Sequence, residues 1–332
     1  METADGFDQG AWERMAEAGL LGVHLPAIFG GRGLGWVELG VALEEAGAAL
    51  LVAPYLSTAT AAAVLLAAAD DPVVAEVLAG VAGGRIVATL ALAEASGRWD
   101  EASVQTRAVR SPGAGWRLDG RKSYVVDGSV AGVLVVAARD DDGVGLFLVD
   151  GNGPGVSRAP LSTVDLTRKQ ADVVLDAVPA SAITGTVSTA LELAVVALAA
   201  EQVGGAQRCL DAAVGHARRR VQFGRPIGSF QAVKHLCAEM LLDLESARSA
   251  AFYAATAAAR GGGDLPSAAA VAKSCCSESF VRIATDSLHV HGGLGFTWDH
   301  DAHLYFKRAR SSALLYGDPR HHRELLARQI LP

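Results

Sequence analysis

Between Arg85 and about Thr186 the chain changes texture, and that change limits its fold more than any other feature. "RIVATLALAE", "SVQTRAVRS", "WRLDGRKSYVVDG", "VAGVLVVAAR", "GVGLFLVDG" and "ADVVLDAVPA" are short β-branched runs. Gly, Asp and Pro turn signals divide them. Such spacing over roughly a hundred residues describes an antiparallel barrel or sandwich. On either side the periodicity is helical. "AWERMAEAGLLGVHLP" and "VELGVALEEAGAALL" are amphipathic helices joined by the glycine loop "FGGRGLGW". After Thr186 helical patterns run to the end, broken at "GRPIGS", "RGGGDLPS" and "HGGLGF". About four long helices fit there, as in a bundle. The expected organisation is α+β and multi-domain: helical over 1–84, β over 85–185, and a four-helix bundle over 186–332.

The chain of 332 residues is 51% hydrophobic with a formal net charge of -7. That acidic balance argues against a nucleic-acid binder, which spreads basic charge over its binding face. Cys209, Cys237, Cys275 and Cys276 form no Cys-x-x-Cys pair. They read as reduced thiols in a cytoplasmic protein, and no metal-ligand spacing stands out. The opening "METADGFDQGAWERM" is polar and acidic, unlike a signal peptide. The apolar run after Leu51 holds a proline and Ser/Thr positions and reaches Asp70, so it reads as a buried helix, not a membrane span.

Against that acidic background stands "RRRVQFGRPIGSFQ", residues 218–231, with four arginines around a turn. Cations in a last helical turn complement the helix dipole, so a solvated helix end is one reading. A second glycine segment, "HVHGGLGFTWDHDAHLYFKRAR", favours another. Paired glycines permit close backbone approach, and two such loops at helix ends suit a dinucleotide pyrophosphate. Neither is a Rossmann fingerprint, because no βαβ unit surrounds it.

Together these two segments resemble the acyl-CoA dehydrogenase family of flavoproteins. "AGLLGVHLPAIFGGRGLGWVELGVALEEAG" is similar to that family's N-terminal domain, and "LALAE" and "GRKSYVVDG" fall where its flavin segments belong. The resemblance covers nearly the whole chain. It implies noncovalent FAD between subunits, with the isoalloxazine on the β-domain and the pyrophosphate on a neighbour's bundle. By position, Arg220, Gln222 and Phe223 meet the neighbour's FAD, with Gln231 close by. Gly292 and Gly293 allow the close approach, and His289 stands where Gln is usual. Tyr124, Val125 and Val126 fall on the flavin segment. The implied chemistry is α,β-desaturation of an acyl-CoA thioester, with electrons passed to an electron-transfer flavoprotein.

The same resemblance exposes departures. Gly317, in "LLYGDPRHHR", stands where the family's catalytic glutamate is expected, and Tyr316 matches the preceding tyrosine. Ala194 stands at the family's alternative base position. Asp318 and Glu201 are the remaining weak candidates. Glu201 is seven residues from Ala194, about 10.5 Å along a helix, which is too far to reach the same carbon. Glu192 points to another side, toward coenzyme A groups or solvent. Near the flavin, Ala93 lacks a usual hydroxyl, residues 98–100 replace a Gly-Ser-Asp, Tyr124 replaces tryptophan, and Val126 cannot hydrogen-bond the ring. The resemblance also leads one to expect a further helix ahead of "AWERMAEAGLLG"; a short start there implies a more open acyl pocket or a bulky acyl group. The reading preferred is a base-lacking subunit of a heteromeric acyl-CoA dehydrogenase, of a kind that acts on lipid or steroid side chains. The alternatives are a self-sufficient homotetramer with an unusual base and a non-catalytic acyl-CoA or flavin scaffold.

Overall fold

The computed structural model describes residues 6–111 and 115–331. Residues 1–5, part of the polar opening read as unlike a signal peptide, lie outside them. The chain divides into two compact units: Met1–Leu39 with Val52–Ala194, and Gly40–Leu51 with Val195–Pro332.

In the first unit, α1 (Gln9–Glu17) starts at Asp8, whose carboxylate accepts from the Ala11 amide. α2 (Trp36–Ala48) begins here and continues into the second unit. The apolar run after Leu51 forms α3 (Tyr55–Leu65), with all eleven residues buried. α4 (Pro72–Ala82) carries proline in its first turn and Asp71 as its cap.

The β-branched block forms seven strands: β1 (Ala88–Ala91), β2 (Arg107–Ser111), β3 (Gly115–Val126), β4 (Val133–Arg139), β5 (Val144–Asp150), β6 (Val156–Pro160) and β7 (Gln170–Ile183). Their order is β1-β4-β2-β3-β7-β5, and the further β4–β5 pairing closes the circuit into a barrel, with β6 on β7. Pairing is antiparallel except where β4 meets β1 and β2, so the sheet is mixed. Leu118, Val125, Leu134, Phe147 and Val173 are among the side chains filling its interior.

The second unit is helical: α5 (Val187–Arg219, whose first turns belong to the first unit), α6 (Gln231–Arg260), α7 (Leu265–His291), α8 (Ala302–Leu314) and α9 (Pro319–Ile330). Three helices are long and two are short. α5 is long and apolar enough to cross a membrane by composition, yet 78% of its apolar window is buried in the fold. α2 crosses α5 at backbone contact. A Cβ on Gly204 would lie 1.7 Å from the Glu44 carbonyl oxygen, and one on Gly47 1.9 Å from that of Glu201. Only glycine permits that approach. The four cysteines are free thiols.

Candidate functional site

The candidate site residues fall in both units. In the first unit the two flavin-type segments meet. The Ser123 amide donates to the Ala93 carbonyl at 3.0 Å. Beneath them lies a buried ion pair that sequence reasoning missed. Lys122 Nζ donates to Glu94 Oε1 at 2.8 Å and to the Leu92 carbonyl at 3.2 Å. Glu94 also accepts from the Gln105 and Thr106 amides and the Thr106 hydroxyl. Burial alone pushes the Glu94 carboxyl up, but Lys122 and the Thr106 donors outweigh it and hold it below the usual carboxylate range. β3 also carries Arg117, Asp119, Arg121 and Ser123, so nothing in its sequence marks Lys122 as the buried charge. The pair locks the two segments together.

Just beyond Lys122 the β3–β7 register shifts, and Tyr124 adopts φ 58°. That turn throws Tyr124 outward and Val125 inward. Tyr124 is 40% exposed, whereas Val125 packs in the barrel core and Val126 is buried. Val125 and Val126, expected as cofactor contacts, therefore offer no exposed side chain, and the Val126 carbonyl already accepts from the Thr89 hydroxyl at 2.6 Å. Ala194 is buried on α5. Glu192 is half-buried, and burial pushes its carboxyl up.

In the second unit the arginine segment forms a hairpin, β8 (Val221–Gln222) against β9 (Arg225–Pro226). Its two loop residues, Phe223 and Gly224, have φ 52° and 75°, the paired positive values a type I′ turn requires. Phe223 is 92% exposed, and Arg220, Gln222 and Gln231 are exposed too. Arg225 stacks over Phe230, 4.1 Å from the ring centroid. At the end of α7, Gly292 has φ 61° and ψ -141°, a conformation essentially confined to glycine. A Cβ on Gly292 or Gly293 would meet nothing within 4 Å. Their exposed backbone is open to approach. His289 is exposed nearby, with Nδ1 3.7 Å from Asp286.

The base positions are closed. Gly317 has φ 95°, and a Cβ there would lie 2.8 Å from the His321 ring and 3.0 Å from His322 Nε2. His322 is buried, and Nε2 lies 2.8 Å from the Tyr316 carbonyl. A carbonyl can only accept, so Nε2 carries the proton. Burial, partly offset by that bond, lowers the His322 pKa to about 4. Asp318 caps α9, accepting from the His321 amide at 2.7 Å. Glu201 is paired with Arg308 at 3.1 Å, both side chains buried. Asp318 and Glu201, the weak base candidates, are thus engaged as a helix cap and a core ion pair. On the other side of the turn Lys273, fully buried, donates to the Ser312 and Ala313 carbonyls at 2.8 and 3.1 Å.

This geometry coincides with one family along the chain's whole length. The acyl-CoA dehydrogenase N-terminal domain model matches residues 1–85, the middle domain 89–178 and the C-terminal domain 184–331. The chain belongs to the acyl-CoA dehydrogenase family. It is 32% identical over 322 residues to acyl-CoA dehydrogenase IpdE2 of Mycolicibacterium smegmatis, covering 96% of this chain and 88% of that one. Among solved structures it is similar to a variant of the Tcur3481-Tcur3483 steroid ACAD, with TM-score 0.92, 35% identity, and 99% and 90% coverage. It is also similar to a chain of the ChsE4-ChsE5 complex from Mycobacterium tuberculosis, with TM-score 0.91, 29% identity, and 99% and 90% coverage. Acyl-CoA dehydrogenases are oxidoreductases, and family members generally use FAD.

Proposed function

We propose that this chain is a base-lacking subunit of a heteromeric, FAD-dependent acyl-CoA dehydrogenase. The assembly desaturates the α,β bond of a lipid or steroid side-chain thioester. The carrying observation is Gly317. At the position where the family's glutamate is expected, φ is 95° and two imidazoles occupy the space of a side chain. Glu201 and Asp318 have other partners. The partner therefore supplies the carboxylate that removes the α-proton.

What this chain retains suits the dinucleotide end of FAD. Arg220 and Gln222 offer exposed donors, Phe223 offers an exposed ring, and the backbone at Gly292 and Gly293 is open to a phosphate. Those residues fit the group. On the β-domain, Tyr124 is the exposed side chain of the expected trio. Bound FAD supplies the hydride acceptor. This chain's part is to bind and orient the cofactor's diphosphate end. The heteromeric ChsE4-ChsE5 neighbour supports the arrangement, and an electron-transfer flavoprotein is the proposed acceptor.

The test is the visible spectrum of the chain purified alone and with a dehydrogenase-like partner chain. A colourless lone chain that becomes yellow with its partner is the expected result. Stoichiometric flavin in the lone chain, bleached by an acyl-CoA, would establish a self-sufficient enzyme instead. Flavin that never bleaches, even with the partner present, would establish a scaffold. Arg220→Ala should weaken flavin retention in the complex by about 1.5–3 kcal/mol, the range for hydrogen bonds to charged groups.

A further inference from the structure

Close in sequence to the hairpin, the bundle carries a histidine cluster that the cofactor reading does not use. His216 on α5 lies against His291, the last residue of α7, with ring centroids 4.6 Å apart. His291 lies against His300, just before α8, at 4.3 Å. His291 Nδ1 is 2.7 Å from the Ser287 carbonyl and donates to it. His300 Nδ1 accepts from the Ala302 amide at 3.1 Å, so its proton sits on Nε2.

A cavity of about 410 Å³ opens beside the three rings. Arg208 and Arg219 line it, and Asp211 is the one carboxylate in the lining. The Gln207 amide donates to Asp211 at 2.9 Å. Among the described residues neither arginine forms an ion pair, although the chain as a whole is acidic. Three imidazoles and two guanidinium groups therefore converge on one opening with little counter-charge. An anion relieves that repulsion, and the planar guanidinium fork matches phosphate oxygens.

We infer that this cavity binds a phosphate ester or pyrophosphate, held by Arg208 and Arg219 and by the imidazoles of His216 and His300. Other charges nearby sharpen the placement. Arg220 adds positive charge to His216 from the end of α5. Asp299 and Asp301 line an adjoining cavity of about 160 Å³ with Arg208 and His300, which makes that smaller space the poorer anion site. On α8, Lys307 lies near His303, and on α7 Asp286 faces His289.

The pH dependence follows. Burial first, then His291, Arg220, His300 and Arg219, lower the His216 pKa. Burial and His300 likewise lower that of His291. Both shifts disfavour the charged form of His216 and His291. A bound anion favours the protonated rings, so binding takes up protons and tightens as pH falls. A dinucleotide's pyrophosphate and the 3′-phosphate of coenzyme A share this chemistry.

The test uses the flavin-free chain alone and inorganic pyrophosphate as probe, followed by calorimetry and by histidine-ring NMR. The expected results are shifts of the His216 and His300 rings and affinity about tenfold higher near pH 6 than near pH 8. The double variant Arg208→Gln/Arg219→Gln should bind about tenfold more weakly at an unchanged melting temperature. Tighter binding of ADP than of adenosine 3′,5′-bisphosphate assigns the cavity to a dinucleotide; the reverse order assigns it to coenzyme A. No binding at millimolar probe, equal affinity at the two pH values, or indifference to the double variant would each overturn the inference. Because no partner is present, these outcomes are independent of the heteromer reading, which the flavin spectrum of the complex tests separately.

Discussion

The turn at residues 315–318 and the hairpin at residues 221–226 make opposite use of their polar groups. In the turn nearly every group is engaged within the chain. The Tyr316 carbonyl accepts from His322, Asp318 caps α9, and Lys273 reaches the last carbonyls of α8. In the hairpin, the Gln222 side-chain amide donates to the carbonyl of its neighbour Val221, and Phe223 stands 92% exposed. A segment satisfied from inside supports its own fold. One whose donors and ring face outward is built to be completed by something else. Position in a family motif does not distinguish the two, since both carry motif positions.

The contrast can be broken by experiment. The largest effect is expected in the engaged network. Glu201→Ala leaves Arg308 charged and buried without the Glu201 carboxylate, so unfolding free energy should fall by about 3–5 kcal/mol. A drop within 1 kcal/mol in chemical denaturation, below that range, would mean that Glu201 is free for other work.

The next effect is a pH dependence. Burial lowers the His322 pKa to about 4 from an ordinary 6.5. The unfolded chain therefore takes up its proton first. The stability His322 contributes is complete above pH 6.5 and is lost as pH falls toward 4. Across that window the loss is about 3 kcal/mol for this one residue. His24, also buried and lowered to about 4, behaves alike. The difference between wild type and His322→Gln isolates the His322 share, and parallel pH curves for the two would refute it.

A smaller effect is expected at the missing base. Gly317→Glu forces a side chain onto a backbone at φ 95° and against two imidazoles. It should cost roughly 1–3 kcal/mol and produce no dehydrogenase activity in the lone chain. Activity gained at wild-type stability would show that the turn is more adaptable than its contacts indicate. The smallest effect belongs to the hairpin. Phe223→Ser should change unfolding free energy by no more than about 0.5 kcal/mol, as for surface positions generally, while weakening flavin loading of the complex. A large loss of stability in the lone chain would mean that the hairpin serves this fold after all.

Much of the fold is legible in the sequence because its signals are local. Turn residues between β-branched runs mark the strands, and "GRPIGS", "RGGGDLPS" and "HGGLGF" mark the breaks between helices. The turn between the arginines is legible from Gly224, but the hairpin and the positive φ at Phe223 are not, because a bulky side chain rarely takes that conformation. Less legible are the partnerships of charged side chains. Glu94 and Lys122 are 28 residues apart, and Glu201 and Arg308 are 107 apart. Nothing within either member names the other. The glycine contacts between α2 and α5 are hidden for the same reason.

By itself, then, the sequence determined the helical–β–helical order, the arginine-bearing turn with its glycine-rich companion loop, and the glycine at the base position. Each rests on backbone preferences and patterns that act within a few residues. Only the tertiary structure decided that Glu201 and Asp318 are engaged, that Val125 faces the barrel interior, and that His216, His291 and His300 share one cavity. Those outcomes depend on which groups meet after the chain has closed loops of tens to hundreds of residues. Burial then fixes which charges must find a partner.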